Sequence, residues 1–207
     1  MSSLLSLTAS QLLDAFASND PLPAGGSAAA MVGAIGTSLL LMVATLPRTR
    51  SGAAEETTVL AEAAVRLRPL RDELATLVER DSESYAALLA AIRAPHATED
   101  ERARRHEDIL VATRLATDIP LTTMRTSAAA LDTALIVAQH GSRAASGDVA
   151  AAVELLLGAV HAAGRSVAAN LAVLKDAEYV QRLEQERRQI ELSGEAEADR
   201  VRDALVD

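Results

Sequence analysis

The chain contains no cysteine and no tryptophan. The missing cysteines exclude disulfides, thiol nucleophiles and cysteine-ligated zinc. Aromatic residues make up 1% of the sequence, namely Phe16, Tyr85 and Tyr179. Nucleobases therefore have no platforms to stack on. A formal net charge of −9 also repels phosphate backbones, so no nucleic-acid partner is expected. Lysine is nearly absent, Lys175 being the sole one, and this scarcity points to no function. The four histidines (His96, His106, His140 and His161) lack HExxH or similar spacing, so no metal is expected. The residues ahead of the first long apolar run carry no Lys or Arg, unlike a secretory signal. The expectation is a cytoplasmic protein with no cofactor and no membrane partner.

Hydrophobic residues supply 49% of the chain, and alanine and leucine carry that load. This favours helix over strand. A length of 207 residues is enough to bury a core as one domain over 1–207. The predicted fold class is all-α: an up-and-down multi-helix bundle with long, partly kinked helices.

Thr8 to Gln11 has capping-box spacing and predicts a first helix from about Thr8 to Ser18. A loop at Asn19 to Gly26 leads into Gly25-Gly26-Ser27, and no residue from Ala28 to Leu46 is charged. That run is long enough to cross a bilayer. However, Gly33, Gly36, Thr37, Ser38 and many alanines, with no aromatic or basic flanks, favour a helix enclosed by other helices. Pro47 ends or kinks it. An amphipathic segment follows from about Ala53 to Arg93, and Pro69 is expected to bend it or break it in two. Thr98 to Glu101 repeats the capping-box spacing and starts a helix ending near Asp118. Pro120 is expected in the first turn of a separate helix, Leu121 to Gln139, that stops at Gly141. A further apolar helix is predicted from Asp148 to about Leu174. The Glu/Arg-rich tail, 176–207, reads as a peripheral helix or partner contact broken at Ser193-Gly194. Three nearly uncharged helices exceed what the amphipathic ones can cover, so a homodimer is expected.

Three places gather useful chemistry. At Gly25-Gly26-Ser27, Ser27 is expected to cap a helix, and free amides with the helix dipole favour a bound anion. Gly-Gly-Ser before a helix is also simply a turn and a cap. Asp81 and Tyr85, four residues apart, share a helix face, whereas Glu83 points elsewhere. Asp81 lies beside the apolar stripe, where burial would move its pKa and suit it to proton transfer; it also reads as a surface carboxylate paired with Arg80. Asp148 sits at a helix start, as a site carboxylate or a plain dipole partner. Arg48 and Arg50 follow the apolar helix, either to hold a carboxylate ligand or as solvated charges.

These stretches together resemble the cyclodeaminase/cyclohydrolase family. This is the family of the C-terminal domain of formiminotransferase-cyclodeaminase and of stand-alone methenyltetrahydrofolate cyclohydrolases. The resemblance lies in PAGGSAAAMVGAIGTSLLLMV (Pro23–Val43), LVERDSESYAALLAAIR (Leu77–Arg93), DIPLTT (Asp118–Thr123), GSRAASGD (Gly141–Asp148) and Asn170-Leu171 with Asp176. It implies an all-α homodimer acting on a one-carbon derivative of tetrahydrofolate. The reaction would be hydrolysis of the 5,10-methenyl bridge or release of ammonia from the 5-formimino group. It also implies Gly25, Gly26 and Ser27 as ligand-binding, and Asp81, Glu83 and Asp148 as polar site residues. The chain departs from the family pattern at Ala24, at Leu46 to Arg50, and at Ser142, Gly147 and Ser166. A non-catalytic helical dimer that binds a small molecule or protein partner is the competing expectation.

Overall fold

The computed structural model describes residues 3–206. Six α-helices dominate the described residues: α1 (Ala9–Ala17), α2 (Gly25–Ala44), α3 (Ala54–Arg93), α4 (Glu99–His140), α5 (Ser146–Leu171) and α6 (Ala177–Val206). No β-strand occurs among them, only one isolated bridge between Thr49 and Gly141. Both capping boxes form. The Thr8 hydroxyl accepts from the Gln11 amide, and Thr98 does the same with Glu101.

Helix α2 runs along α3 and α5, and α4 closes the other side against the same two helices. Neighbours in this core run antiparallel. Gly26 faces Asp81 while Gly33 faces Leu74, and Gly36 faces Ala152 and Leu156 on α5. Leu40, Leu74, Leu131, Leu156 and Val160 are fully buried. With alanine and glycine dominating α2, the helices come unusually close. A Cβ at Gly36 would lie 2.9 Å from the Ala152 carbonyl oxygen. Helix α2 and the segment Arg143–Leu171 are long and apolar enough to cross a membrane, yet 56% and 50% of their most apolar windows are buried inside this bundle.

Neither internal proline divides its helix. Helix α3 is continuous over 40 residues with Pro69 inside it, and α4 over 42 residues with Pro120 inside it. A helix proline removes one amide and frees the carbonyl four residues earlier. For Pro69 that carbonyl belongs to Val65, on an exposed part of the helix where water can satisfy it. For Pro120 it belongs to Ala116, and Asn170 on α5 donates its Nδ2 to that oxygen at 2.7 Å. The separate helix expected at Leu121 is therefore the second half of α4.

Three further expectations change. Ser27 is not a cap: Ala24 occupies that position, without a side-chain cap bond, and Ser27 lies fully buried in the first turn of α2. The last apolar helix ends at Leu171. Finally, Ser193-Gly194 does not break α6, because Gly194 is buried against Leu131, Leu157 and Val160. Helix α6 packs on α4 and α5, and Arg125–Glu186, Arg114–Asp176 and Arg202–Glu154 ion pairs tie its surface down. Asp207 lies outside the described residues.

Candidate active site

The first turn of α2, the middle of α3, Ala116 on α4 and the last turn of α5 enclose a cleft of about 250 Å³. Its walls are Ala24, Gly25 and Gly26 on one side, Asp81, Ser84 and Tyr85 on the next, and Ala116, Ser166, Ala169 and Asn170 opposite. Asp81 and Tyr85 share the cleft because they lie one helical turn apart on α3.

Asp81 sits against the start of α2. It is 8% exposed, and the Ser27 hydroxyl donates to its Oδ2 at 2.9 Å. The Ser27 hydroxyl also lies 3.0 Å from that of Ser82. Gly26 makes this approach possible, since a Cβ there would fall 2.0 Å from Asp81 Oδ1 and 2.5 Å from Cγ. The anion expected at this helix N-terminus is thus the protein's own carboxylate, held where unpaired amides and the dipole favour negative charge. Burial is the larger influence on its proton affinity and pushes its pKa above the usual aspartate value; the Ser27 hydroxyl and amide pull the other way by less. Ser84 turns its hydroxyl back to the Asp81 carbonyl at 2.9 Å.

Asp81 is the only formally charged residue among those lining the cleft. A half-dry cavity with one carboxylate and no cation in its wall suits a cationic or proton-accepting centre. Gly25, Gly26 and Asp81 line this cleft; Ser27, expected as a ligand-binding residue, is fully buried behind Asp81 and does not line it.

The remaining candidates lie elsewhere in the chain. Glu83 is exposed two residues beyond Asp81, so it projects from a different face of α3. There it borders a shallow depression with Arg80, Ser84, Leu115 and Ile119. Arg48, Arg50 and Asp148 lie at the opposite end of the bundle. Helix α2 has 20 residues, which separates its two ends by about 30 Å. Arg50 donates to the Ala138 carbonyl at 3.0 Å and lines a separate cavity with Arg143 and Ser146. Arg48 is exposed just beyond α2, and Asp148 is exposed in the first turn of α5. Within the chain Asp148 cannot reach the Asp81 cleft, because α5 runs antiparallel to α2.

Ser166 and Asn170 are cleft residues that local sequence reading did not single out as a site. Asn170 is brought in by a contact spanning 54 positions; its sequence signals are its place in the family-like Asn170-Leu171 stretch and the proline at position 120, which leaves the Ala116 carbonyl without an amide.

The formiminotransferase-cyclodeaminase family model matches residues 8–189, which include every wall of this cleft. The chain belongs to this family. It is 32% identical over 174 residues to a protein of Methylorubrum extorquens named methenyltetrahydrofolate cyclohydrolase, with 84% of each chain covered. It is 26% identical over 157 residues to the formimidoyltransferase-cyclodeaminase of Gallus gallus, matching 76% of this chain but 29% of that longer protein. In fold it resembles the crystal structure of the formiminotetrahydrofolate cyclodeaminase of Thermotoga maritima, at a TM-score of 0.86 and 21% identity over 98% of this chain and 97% of that one.

Proposed function

We propose that this protein is a folate one-carbon enzyme that hydrolyses 5,10-methenyltetrahydrofolate to 10-formyltetrahydrofolate in the Asp81 cleft. The observation that carries the reading is the lone buried carboxylate in a cation-free wall. The methenyl bridge is an amidinium cation, so Asp81 is its electrostatic complement.

The steps follow from that pairing. Water adds to the bridging carbon while Asp81 accepts one of its protons, leaving a neutral carbinolamine. The bond from that carbon to N5 then breaks, its electron pair stays on N5, and Asp81 returns the proton there. The hydroxyl proton leaves to solvent as the N10-formyl group forms. A carboxylate whose proton affinity is raised by burial is the better base for the first step. Ser27 holds the carboxylate in place through both steps. The same cleft could instead run the cyclodeaminase reaction. There N10 attacks the 5-formimino carbon, Asp81 takes the N10 proton and passes it to the amino nitrogen of the adduct, and the C–N bond breaks to release ammonia and leave the methenyl bridge. The names of the Gallus gallus and Rattus norvegicus relatives favour that second reading.

A cleft of about 250 Å³ falls below the roughly 300–1,000 Å³ typical of whole-ligand pockets, so only part of a folate sits inside. The active form in this proposal is a single-domain, cytoplasmic homodimer without a cofactor. Ile35 and Met42, two turns apart on the outward face of α2, are large apolar side chains left exposed that a second copy would cover.

The test is absorbance decay of 5,10-methenyltetrahydrofolate. The wild-type protein is expected to accelerate it, and Asp81→Asn to slow it by about 10²–10⁴-fold. A wild-type rate equal to that of buffer rejects the enzyme reading in favour of a binding protein.

A further inference from the structure

Pro120 is buried in the middle of α4 and has no amide to offer the Ala116 oxygen. Asn170, on a different helix, fills that vacancy with Nδ2 at 2.7 Å. A carbonyl oxygen only accepts, so this bond decides which way round the side-chain amide sits. One Nδ2 hydrogen is committed to Ala116, which fixes the amide's orientation and leaves Oδ1 as the acceptor that Asn170 can offer a ligand. Ala116 and Asn170 both line the Asp81 cleft.

The wall between them is helical backbone, whose carbonyls are already spent on intrahelical bonds. Acceptors for a bound ring must therefore come from side chains. The Ser84 hydroxyl spends its one hydrogen on the Asp81 carbonyl, so its oxygen and Asn170 Oδ1 are side-chain acceptors in this wall. A reduced pterin presents ring N–H donors, and a correctly turned carboxamide is a neutral acceptor that does not compete with Asp81 for charge.

We propose that Asn170 is a substrate-binding residue that offers Oδ1 to a ring N–H of the bound folate, and that Pro120 is a positioning residue that sets the amide's orientation by freeing the Ala116 carbonyl. This inference rests on the folate reading of the cleft.

Three variants test it: Pro120→Ala, Asn170→Ala and the pair combined. Pro120→Ala returns an amide to α4, which bonds the Ala116 oxygen and takes away the anchor of Asn170. Its Tm should match or exceed wild type, because proline is the poorest residue for a helix interior. Its Kd for 5-formyltetrahydrofolate and its KM for 5,10-methenyltetrahydrofolate should both rise about 3- to 10-fold, the cost of one neutral hydrogen bond, with kcat little changed. Asn170→Ala should show the same rise, and the double variant no more than Asn170→Ala alone. In the ligand-free protein, the Asn170 side-chain NH₂ should show an exchange-protected proton by NMR that Pro120→Ala loses. If Pro120→Ala lowers the Tm, Asn170→Leu carries the binding test, since it keeps the size and removes the acceptor without adding charge, and its Kd and KM should rise as in Asn170→Ala.

Wild-type affinity in both single variants, or penalties that add in the double variant, would overturn the inference. A wild-type protein that neither binds nor converts folates brings down the folate reading and the ligand half of this inference with it. The NMR arm needs no ligand and still decides the link between Pro120 and Asn170.

Discussion

Replacing Gly26 with alanine puts the proposed catalytic carboxylate to a direct test. The added Cβ would lie 2.0 Å from Asp81 Oδ1, 2.5 Å from Cγ and 2.7 Å from Oδ2, so the whole carboxyl group must move. Moving it breaks the 2.9 Å bond from Ser27. A hydrogen bond to a charged group contributes about 1.5–3 kcal/mol. Against this, alanine gains up to about 1 kcal/mol over glycine in a helix interior, and less in a first turn. The net expectation is a loss of about 1–2 kcal/mol. At about 2–4 °C per kcal/mol for a chain of this size, the Tm falls by a few degrees. Activity should fall much further, about 100-fold, because a displacement near 1 Å takes a proton-transfer group out of register. Gly25→Ala is the control for stability, since a Cβ at Gly25 meets nothing within 4 Å. Its Tm should stay at or slightly above wild type. Differential scanning fluorimetry and methenyl absorbance decay read the two effects separately. A Gly26→Ala protein with wild-type Tm and wild-type rate would refute the argument that Asp81 is held against α2 and does the chemistry there.

Two further outcomes follow from the same geometry. Burial raises the pKa of Asp81 in the folded state above its unfolded value. The stability this protonation contributes is fully present below the ordinary aspartate range and is lost as pH rises through the folded pKa. Asp81→Asn escapes that loss, so its Tm should gain on wild type as pH climbs above the ordinary aspartate range, although its activity is much reduced; a Tm difference that ignores pH contradicts the burial argument. Gly36→Ala drives a Cβ to 2.9 Å from both the Ala152 backbone oxygen and Leu156 Cγ. Backbone yields less readily than a side-chain tip, so a loss of about 1–3 kcal/mol is expected in chemical denaturation. Gly158→Ala, with nothing within 4 Å of the new Cβ, should be neutral or stabilising.

Helix positions were legible in the residues because their signals are local. The capping boxes at Thr8 and Thr98 formed as spaced, and the uncharged run after Gly26 became the enclosed α2. The prolines misled for a physical reason. A helix tolerates a missing amide when something else satisfies the freed carbonyl, and for Ala116 that partner lies 54 positions away. Ser27 misled in the same way. Its spacing suits a cap, but its hydroxyl is claimed by Asp81 from another helix. Whether Arg48, Arg50 and Asp148 lie near Asp81 was not legible, because sequence order says nothing about which end of an antiparallel rod a residue reaches; within the chain they sit at the other end from Asp81.

Taken alone, the order of residues settled that the chain is helical, roughly where each helix starts, and that Asp81 shares a face with Tyr85. Periodicity, capping and charge are properties of neighbours, and they survive without knowledge of the fold. The packing of α2 against α3 decided the rest. Only there does the missing Cβ of Gly26 become a seat for a carboxylate, and only there does burial raise the proton affinity of an ordinary aspartate.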